Sequence, residues 1–431
     1  MECLPDGWKA PRRIADRPGG GQGVTMRGRG IAGVLVLALA MAGACAGAEV
    51  TGYVHAEGRN LVDPAGHRLL LRGTNLGNWL IQEGYMFHFD GGPQSAREIE
   101  ALTTELMGPV ASAQFWKQYR KNYVTKADID FIAHEGFNTI RIPFHYRFFT
   151  PGNEEGFALL DPVIAWAKAD HLYVVLDMHA APCGQNGANI DDSYGYPWLY
   201  DSPECQQQTD AMWRRIAAHY QDNPTVLGYD LLNEPIPHYP RLKKYNAKLE
   251  PVYRGIVAAV RTVDRHHVVI LGGAQWDTNF TVFSKPFDSN VMYTFHKYWM
   301  PPVQEQIQAY IDFSAKYDVP IWMSESGENK DAWVQQFRQL LDKNQISWTF
   351  WPYKKMDAPS ALVSFDRPVH WDEIVAFAAH KFQMGDSEKA VAARPVQADI
   401  DAAFTDLLQK VRFAHAHPNP GYLKALGAPV P

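Results

Sequence analysis

Four cysteines in 431 residues, no excess of basic charge, no apolar run of membrane-spanning length and no internal repeat or low-complexity linker past residue 50 set the first limits on this chain. With 41 Lys and Arg against 47 Asp and Glu, a net charge of −6, it carries no electrostatic footprint for nucleic acid, and none is expected as a partner. The leading apolar stretch, residues 31–42, falls short of the ~20 residues a bilayer-crossing helix needs, so no permanent membrane span is expected. No cysteine stands in a CxxC or His-rich spacing; nothing demands a metal, and no cofactor is expected.

What is present at the N-terminus is a targeting pattern. Arg27 and Arg29 precede the apolar stretch, and small residues follow through Ala48, with Ala44-Cys45-Ala46 and Ala46-Gly47-Ala48 as cleavage sites. Residues 26–48 read as a secretory signal peptide. Residues 1–25, rich in Gly, Arg and Pro ahead of Met26, read as a disordered or misassigned start. The expected location is secreted or periplasmic, with a lipid anchor on Cys45 as the alternative, because residues 42–45 loosely follow a lipobox. Setting Cys3 and Cys45 aside leaves Cys183 and Cys205. In an exported chain they read as a disulfide whose loop closure is worth about 3 kcal/mol, against the alternative of two free thiols.

Past residue 50, turn signals at residues 58–60 and 63–66 predict a leading β-hairpin. Eight β-rich runs then follow, at residues 69–74, 137–142, 172–177, 226–232, 267–271, 291–295, 320–324 and 346–351. They alternate with segments of helical periodicity such as 126–135 and 331–341. Eight parallel strands alternating with helices predict a (β/α)8 TIM barrel, whose active site lies at the C-terminal strand ends. Residues 50–365 are assigned to that barrel and residues 366–431 to helices packed on it. Two long connections, 82–106 and 179–210, are expected as loops over the C-terminal face, and the chain as a monomer.

The strand ends carry Asn75, Arg141, His179, Asn233, Glu234, His296, Tyr298, Glu325 and Trp351. Asn233-Glu234-Pro235 ends one apolar run and Glu325 ends another. Two such carboxyl groups, about 5–5.5 Å apart, are what a retaining glycosidase uses as proton donor and nucleophile. Arg141 and Tyr298 are placed to stabilise the nucleophile's charge, His179 and His296 to tune the acid or bind hydroxyls, and Asn233 to read a sugar 2-hydroxyl. Asp177 and Asp230 lie inside strands and are expected to satisfy buried partners instead of reaching substrate. Trp351 reads as a sugar platform or a core residue. Thirteen Trp, 20 Tyr and 21 Phe suit a carbohydrate cleft, with Tyr194, Tyr196, Trp198, Tyr200 and Trp276 as further sugar contacts.

These residues, together with Arg72-Gly73-Thr74-Asn75-Leu76-Gly77-Asn78-Trp79, Gly136-Phe137-Asn138-Thr139-Ile140-Arg141 and Leu176-Asp177-Met178-His179, resemble glycoside hydrolase family 5, the cellulase family of clan A, over residues 50–365. The resemblance implies Glu234 as acid/base and Glu325 as nucleophile. It also implies Arg141, His179, Asn233, His296, Tyr298 and Trp351 as the substrate-binding residues around the sugar. One departure is that the family's Gly-Glu-aromatic-Gly setting is replaced here by Ser324-Glu325-Ser326-Gly327-Glu328, which makes Glu328 a rival nucleophile. The expected function is a secreted retaining β-glycosidase acting on a β-glucan or oligosaccharide, first of all an endo-β-1,4-glucanase. Exo-β-1,3-glucanase or β-glucosidase, β-mannanase and glycolipid hydrolase are alternatives, residues 181–186 hinting at a β-1,3 preference by resemblance. A non-catalytic carbohydrate-binding barrel is the reading from a different class.

Overall fold

The computed structural model describes residues 52–429, excepting Tyr194 and residues 384–386. The signal segment, Cys3, Cys45 and Tyr194 lie outside the described residues. Eight strands form a closed barrel: β1 (Arg72–Asn75), β2 (Thr139–His145), β3 (Tyr173–Ala180), β4 (Val226–Asp230), β5 (Val268–Gly272), β6 (Val291–His296), β7 (Ile321–Glu325) and β8 (Ser347–Phe350). Each pairs in parallel with the next, and β8 closes on β1 through Trp348 opposite Arg72.

Alternation along the strands sorts their side chains into two cores. In β3, Val174, Leu176 and Met178 face outward into the main core shared with the helices, while Tyr173 and Val175 join an interior cluster with Leu71, Val268, Ile270, Met292 and Trp322. Two further steps along that inward face reach Asp177 and His179. The barrel is therefore apolar at its N-terminal end and polar at its C-terminal mouth. Its floor is closed by strands His55–Glu57, Asn60–Val62 and Arg68–Leu69, so the leading hairpin gains a third antiparallel strand. Val54 and Leu61 from this sheet pack into the interior cluster.

The helical readings at 126–135 and 331–341 correspond to Lys126–His134 and Asp331–Lys343. The connection at 82–106 is not all loop: it contains the helix Ala96–Met107, opened by a capping box between Ser95 and Glu98. In the other long connection, the helix Pro203–Tyr220 starts inside the expected loop, and the Cys183–Cys205 disulfide joins its first turn to the loop's start, with the two Cα atoms 5.9 Å apart. The C-terminal region is not purely helical either. Besides Trp371–Gln383, Ser387–Ala393, Gln397–Lys410 and Pro420–Leu426, it shares a three-stranded sheet of Lys354–Met356, Val363–Phe365 and Ala416–Pro418. Gln397–Lys410 packs on Pro109–Tyr123 through Phe404 and Phe115, ring centroids 5.1 Å apart. Among the described residues no helix is long and apolar enough to cross a membrane.

Candidate active site

Arg141 is the hub of the barrel mouth. Its side chain is fully buried, because an inward position in the middle of β2 leaves it no route to solvent. Nε donates to Asp230 Oδ2 at 2.9 Å, Nη1 to Asn75 Oδ1 at 3.0 Å and to Glu325 Oε2 at 2.9 Å, and Nη2 to Asn233 Oδ1 at 2.9 Å. Asp177 Oδ1 lies 3.1 Å from the same Nη2. Burial opposes the guanidinium charge, but Asp177, Asp230 and Glu325 together outweigh it and hold Arg141 cationic. The two strand aspartates thus meet buried partners and do not face open space.

Glu325 owes its direction to a slip in register. Trp322 and Ser324 face the barrel interior and Met323 the helices, so strict alternation would turn the next side chain outward. The pairing of β7 with β6 shifts between Met323 and Glu325, and this bulge swings the carboxylate into the mouth. There Oε1 accepts from the Tyr298 hydroxyl at 2.8 Å while Oε2 accepts from Arg141. Both donors stabilise negative charge on the carboxylate.

Glu234 sits four residues past the end of β4 in the left-handed region, with φ of 46°. Such a conformation costs a non-glycine residue energy and must be held by its neighbours. Its N–H donates to Asp277 Oδ2 at 3.0 Å, and its carbonyl accepts from Asn186 Nδ2 at 2.6 Å. Burial pushes the Glu234 carboxyl up to about 7, with His179 and Arg141 opposing. At neutral pH a proton is therefore available on it. Ligand atoms of Glu234, His296 and Glu325 lie within 4.8 Å of one another, so the two carboxyl groups have the close spacing of a retaining pair. That trio also has metal-binding composition. However, His296 already engages Glu234 Oε1 through Nδ1 and Ser324 Oγ through Nε2, both at 2.9 Å, and both Glu325 oxygens accept hydrogen bonds.

Both histidines are held neutral by burial, His179 at about 4 and His296 at about 3. For His179 the tautomer follows from the network. Asn233 presents its oxygen to Arg141, so its amide nitrogen must donate to His179 Nε2, 3.2 Å away. The ring proton then sits on Nδ1 and points at Asp177 Oδ2, 2.8 Å away. Trp351 stacks on His179, with centroids 5.7 Å apart and planes 10° from parallel, and donates from Nε1 to the Tyr85 hydroxyl at 2.6 Å. Gly77 is required beneath it, since a Cβ there would fall 2.4 Å from the indole.

Every strand-end residue singled out from the sequence thus converges on one mouth. Glu328 stands apart from Arg141 and Tyr298; it pairs with Lys355 at 2.7 Å and meets the Tyr85 hydroxyl at 3.5 Å. Two acids escaped the sequence reading. Glu83, on the connection after β1, is buried; burial, and then the charges of Glu325, Glu234 and Glu328, push its carboxyl well above the ordinary range. Asp277 is equally buried, and burial with Asp230 and Glu234 raises it well above the ordinary range too.

The family model for cellulase (glycosyl hydrolase family 5) matches residues 100–357. A β-xylosidase of Phanerodontia chrysosporium is 27% identical over 360 residues, covering 73% of this chain and 74% of that protein. A probable glucan 1,3-β-glucosidase A of Emericella nidulans is 33% identical over 173 residues, 38% of this chain, and the match spans less than half of that protein, 42%. Among solved structures, that of an endogalactoceramidase shares the fold with a TM-score of 0.55 at 19% identity, over 71% of this chain and 76% of its own.

Proposed function

Because the chain belongs to glycosyl hydrolase family 5, the cellulase family, and is a retaining glycoside hydrolase, we propose that it releases terminal β-linked glucosyl units, with Glu234 as acid/base and Glu325 as nucleophile. In the first step a Glu325 oxygen bonds to the anomeric carbon while the Glu234 proton passes to the departing oxygen. In the second, the Glu234 carboxylate takes a proton from water, whose oxygen displaces Glu325 and returns the sugar with its original configuration. Arg141 and Tyr298 stabilise the charge on Glu325 in the free enzyme and again as it leaves. The second amide hydrogen of Asn233, not used by His179, is left for the sugar 2-hydroxyl.

The observation that carries the terminal-unit reading is Glu83. A carboxyl group is the strongest reader of a pair of vicinal hydroxyls, and a terminal sugar offers one free hydroxyl more than an internal residue does. Glu83 feels the Glu325 charge above all others. Near it, Tyr85 links Trp351 to Glu328, and Glu328 pairs with Lys355, so this side of the mouth carries a connected set of polar groups suited to extra hydroxyls. This favours exo action over the endo-β-1,4-glucanase first expected. The names of the xylosidase and glucosidase relatives point the same way. The Cys183–Cys205 disulfide supports work in an oxidising compartment, secreted or periplasmic.

The test is a time course on β-1,3-, β-1,4- and mixed-linked oligoglucosides, xylo- and manno-oligosaccharides, glucosylated lipid and small β-glucosides. Exo action releases monosaccharide from the outset, and Glu83→Ala then loses most of its rate on terminal units. Early appearance of shorter oligosaccharides with a rapid drop in polymer viscosity would establish the endo reading instead. Binding without any release would leave a carbohydrate-binding barrel.

A further inference from the structure

The turn after β5 is built at a cost. Gln275, Trp276 and Asp277 have φ of 56°, 57° and 59°, three successive non-glycine residues in the left-handed region. Such a run does not form by local preference and persists only where the surroundings hold it. Two observations show what it is held against. The Trp276 N–H donates to the Ile236 carbonyl at 3.3 Å, stitching the turn to the segment just past Glu234. The Asp277 carboxyl, 1% exposed, accepts from the Glu234 N–H at 3.0 Å and lies 3.4 Å from His296 Nε2. The opposite nitrogen of His296 bonds the Glu234 carboxyl itself.

Asp277 therefore bonds Glu234 directly at the backbone, and on the side-chain route it flanks His296 Nε2, which bonds Ser324 Oγ at 2.9 Å. The other end of the strained Glu234 peptide is held by Asn186. Room for the aspartate is made by Gly272, the last residue of β5, where a Cβ would fall 1.9 Å from Asp277 Oδ1. That oxygen has no hydrogen-bond partner. A buried oxygen without a partner is costly, and a residue retained only to cap the turn would gain nothing from it.

We infer that Asp277 is a positioning residue for proton transfer: its carboxyl fixes the left-handed backbone of Glu234 and, through His296, the direction in which the Glu234 carboxyl meets the leaving oxygen. This rests on Glu234 being the acid. A positioning role has a signature that mere stability lacks. Bonds to poor leaving groups break only with the proton in place, whereas a dinitrophenolate departs without it.

The experiment compares kcat/KM of wild type, Asp277→Ala, Asp277→Asn and Gly272→Ala on phenyl and dinitrophenyl β-glucosides, with melting curves alongside. Correctly delivered protons contribute 10²–10⁴-fold. Asp277→Ala should thus lose on the order of 100-fold or more on the phenyl glycoside and only a few-fold on the dinitrophenyl one. Asp277→Asn keeps an oxygen for the Glu234 N–H and should stay within about tenfold on both. Gly272→Ala, which displaces the carboxyl without removing it, should behave like Asp277→Ala and decides the matter if the latter does not fold. Equal losses on the two substrates, or none, would overturn the inference. A wild type inert on both glycosides, and on the oligosaccharide panel, would instead sink the glycosidase reading, and this inference with it.

Discussion

Replacing Arg141 with Met deletes the cation that four carboxyl and amide oxygens and the Asp177 carboxyl share inside the barrel. Breaking a buried ion network by removing one partner costs about 3–5 kcal/mol, because the remaining charges stay buried without compensation. For a chain of this size about 4 kcal/mol corresponds to a fall in Tm of about 5 °C. The pH dependence of that fall is the sharper test. Burial holds Asp177 and Asp230 up at about 7 even with Arg141 pulling them down. Groups raised in this way contribute stability that is complete below their unfolded pKa of about 4 and lost as pH rises through about 7. Without Arg141 the two acids rise further, so the loss continues to higher pH in the variant than in the wild type. The Tm difference should therefore be small near pH ~5, where both acids are neutral in either protein, and largest near pH ~8.5. It can be read by differential scanning fluorimetry at the two pH values. A difference independent of pH, or larger in acid, would refute the picture of Arg141 as the compensator of Asp177 and Asp230.

Three further outcomes follow from the same geometry. With Glu234 held at about 7 and needed in its protonated form, kcat/KM on a poor leaving group should decline as pH rises through about 7; a pH–rate profile in which Glu234→Gln keeps the same alkaline limb would assign that limb elsewhere. Glu325→Ala should abolish turnover, and azide should restore cleavage of a dinitrophenyl glycoside to give a glycosyl azide of inverted configuration; near-normal turnover, or a product of retained configuration, would move the nucleophile, with Glu328 the next to test. Cys205→Ser should lower stability by about 3 kcal/mol through the freed 22-residue separation, read as a lower denaturant midpoint, and an unchanged midpoint would show that the loop is held by its hydrogen bonds alone.

The eight barrel strands were legible in the sequence because each is a short apolar run bounded by turn residues, and the polar residues that end those runs have nowhere to go but the mouth. Glu325 is a more instructive case. Its position at the end of a run was readable, whereas the register slip that points it inward is a property of the pairing between β6 and β7. Glu83 and Asp277 were not legible, since both lie on connections and are buried only because segments distant in sequence close over them. The helix Ala96–Met107 is different again: its Ser95–Glu98 capping box and its buried Ile99, Leu102 and Leu106 are local signals, lying within a connection expected as loop. The small sheet uniting residues 354–356, 363–365 and 416–418 depends on a strand some fifty residues away in the chain, which local periodicity cannot reveal.

The sheet that closes the barrel floor also determines what may be cut and moved. A fragment begun at residue 100, where the family match begins, would lack Val54, Leu61, Leu71 and the whole of β1. It would open the cylinder between β8 and β2, leaving two raw edges ready to pair with other chains. Fusion partners or circular permutants of this enzyme therefore need their joints ahead of the floor strands or in the exposed connections of the rim, and a library built on the matched segment alone would select for aggregation before it selected for a new substrate.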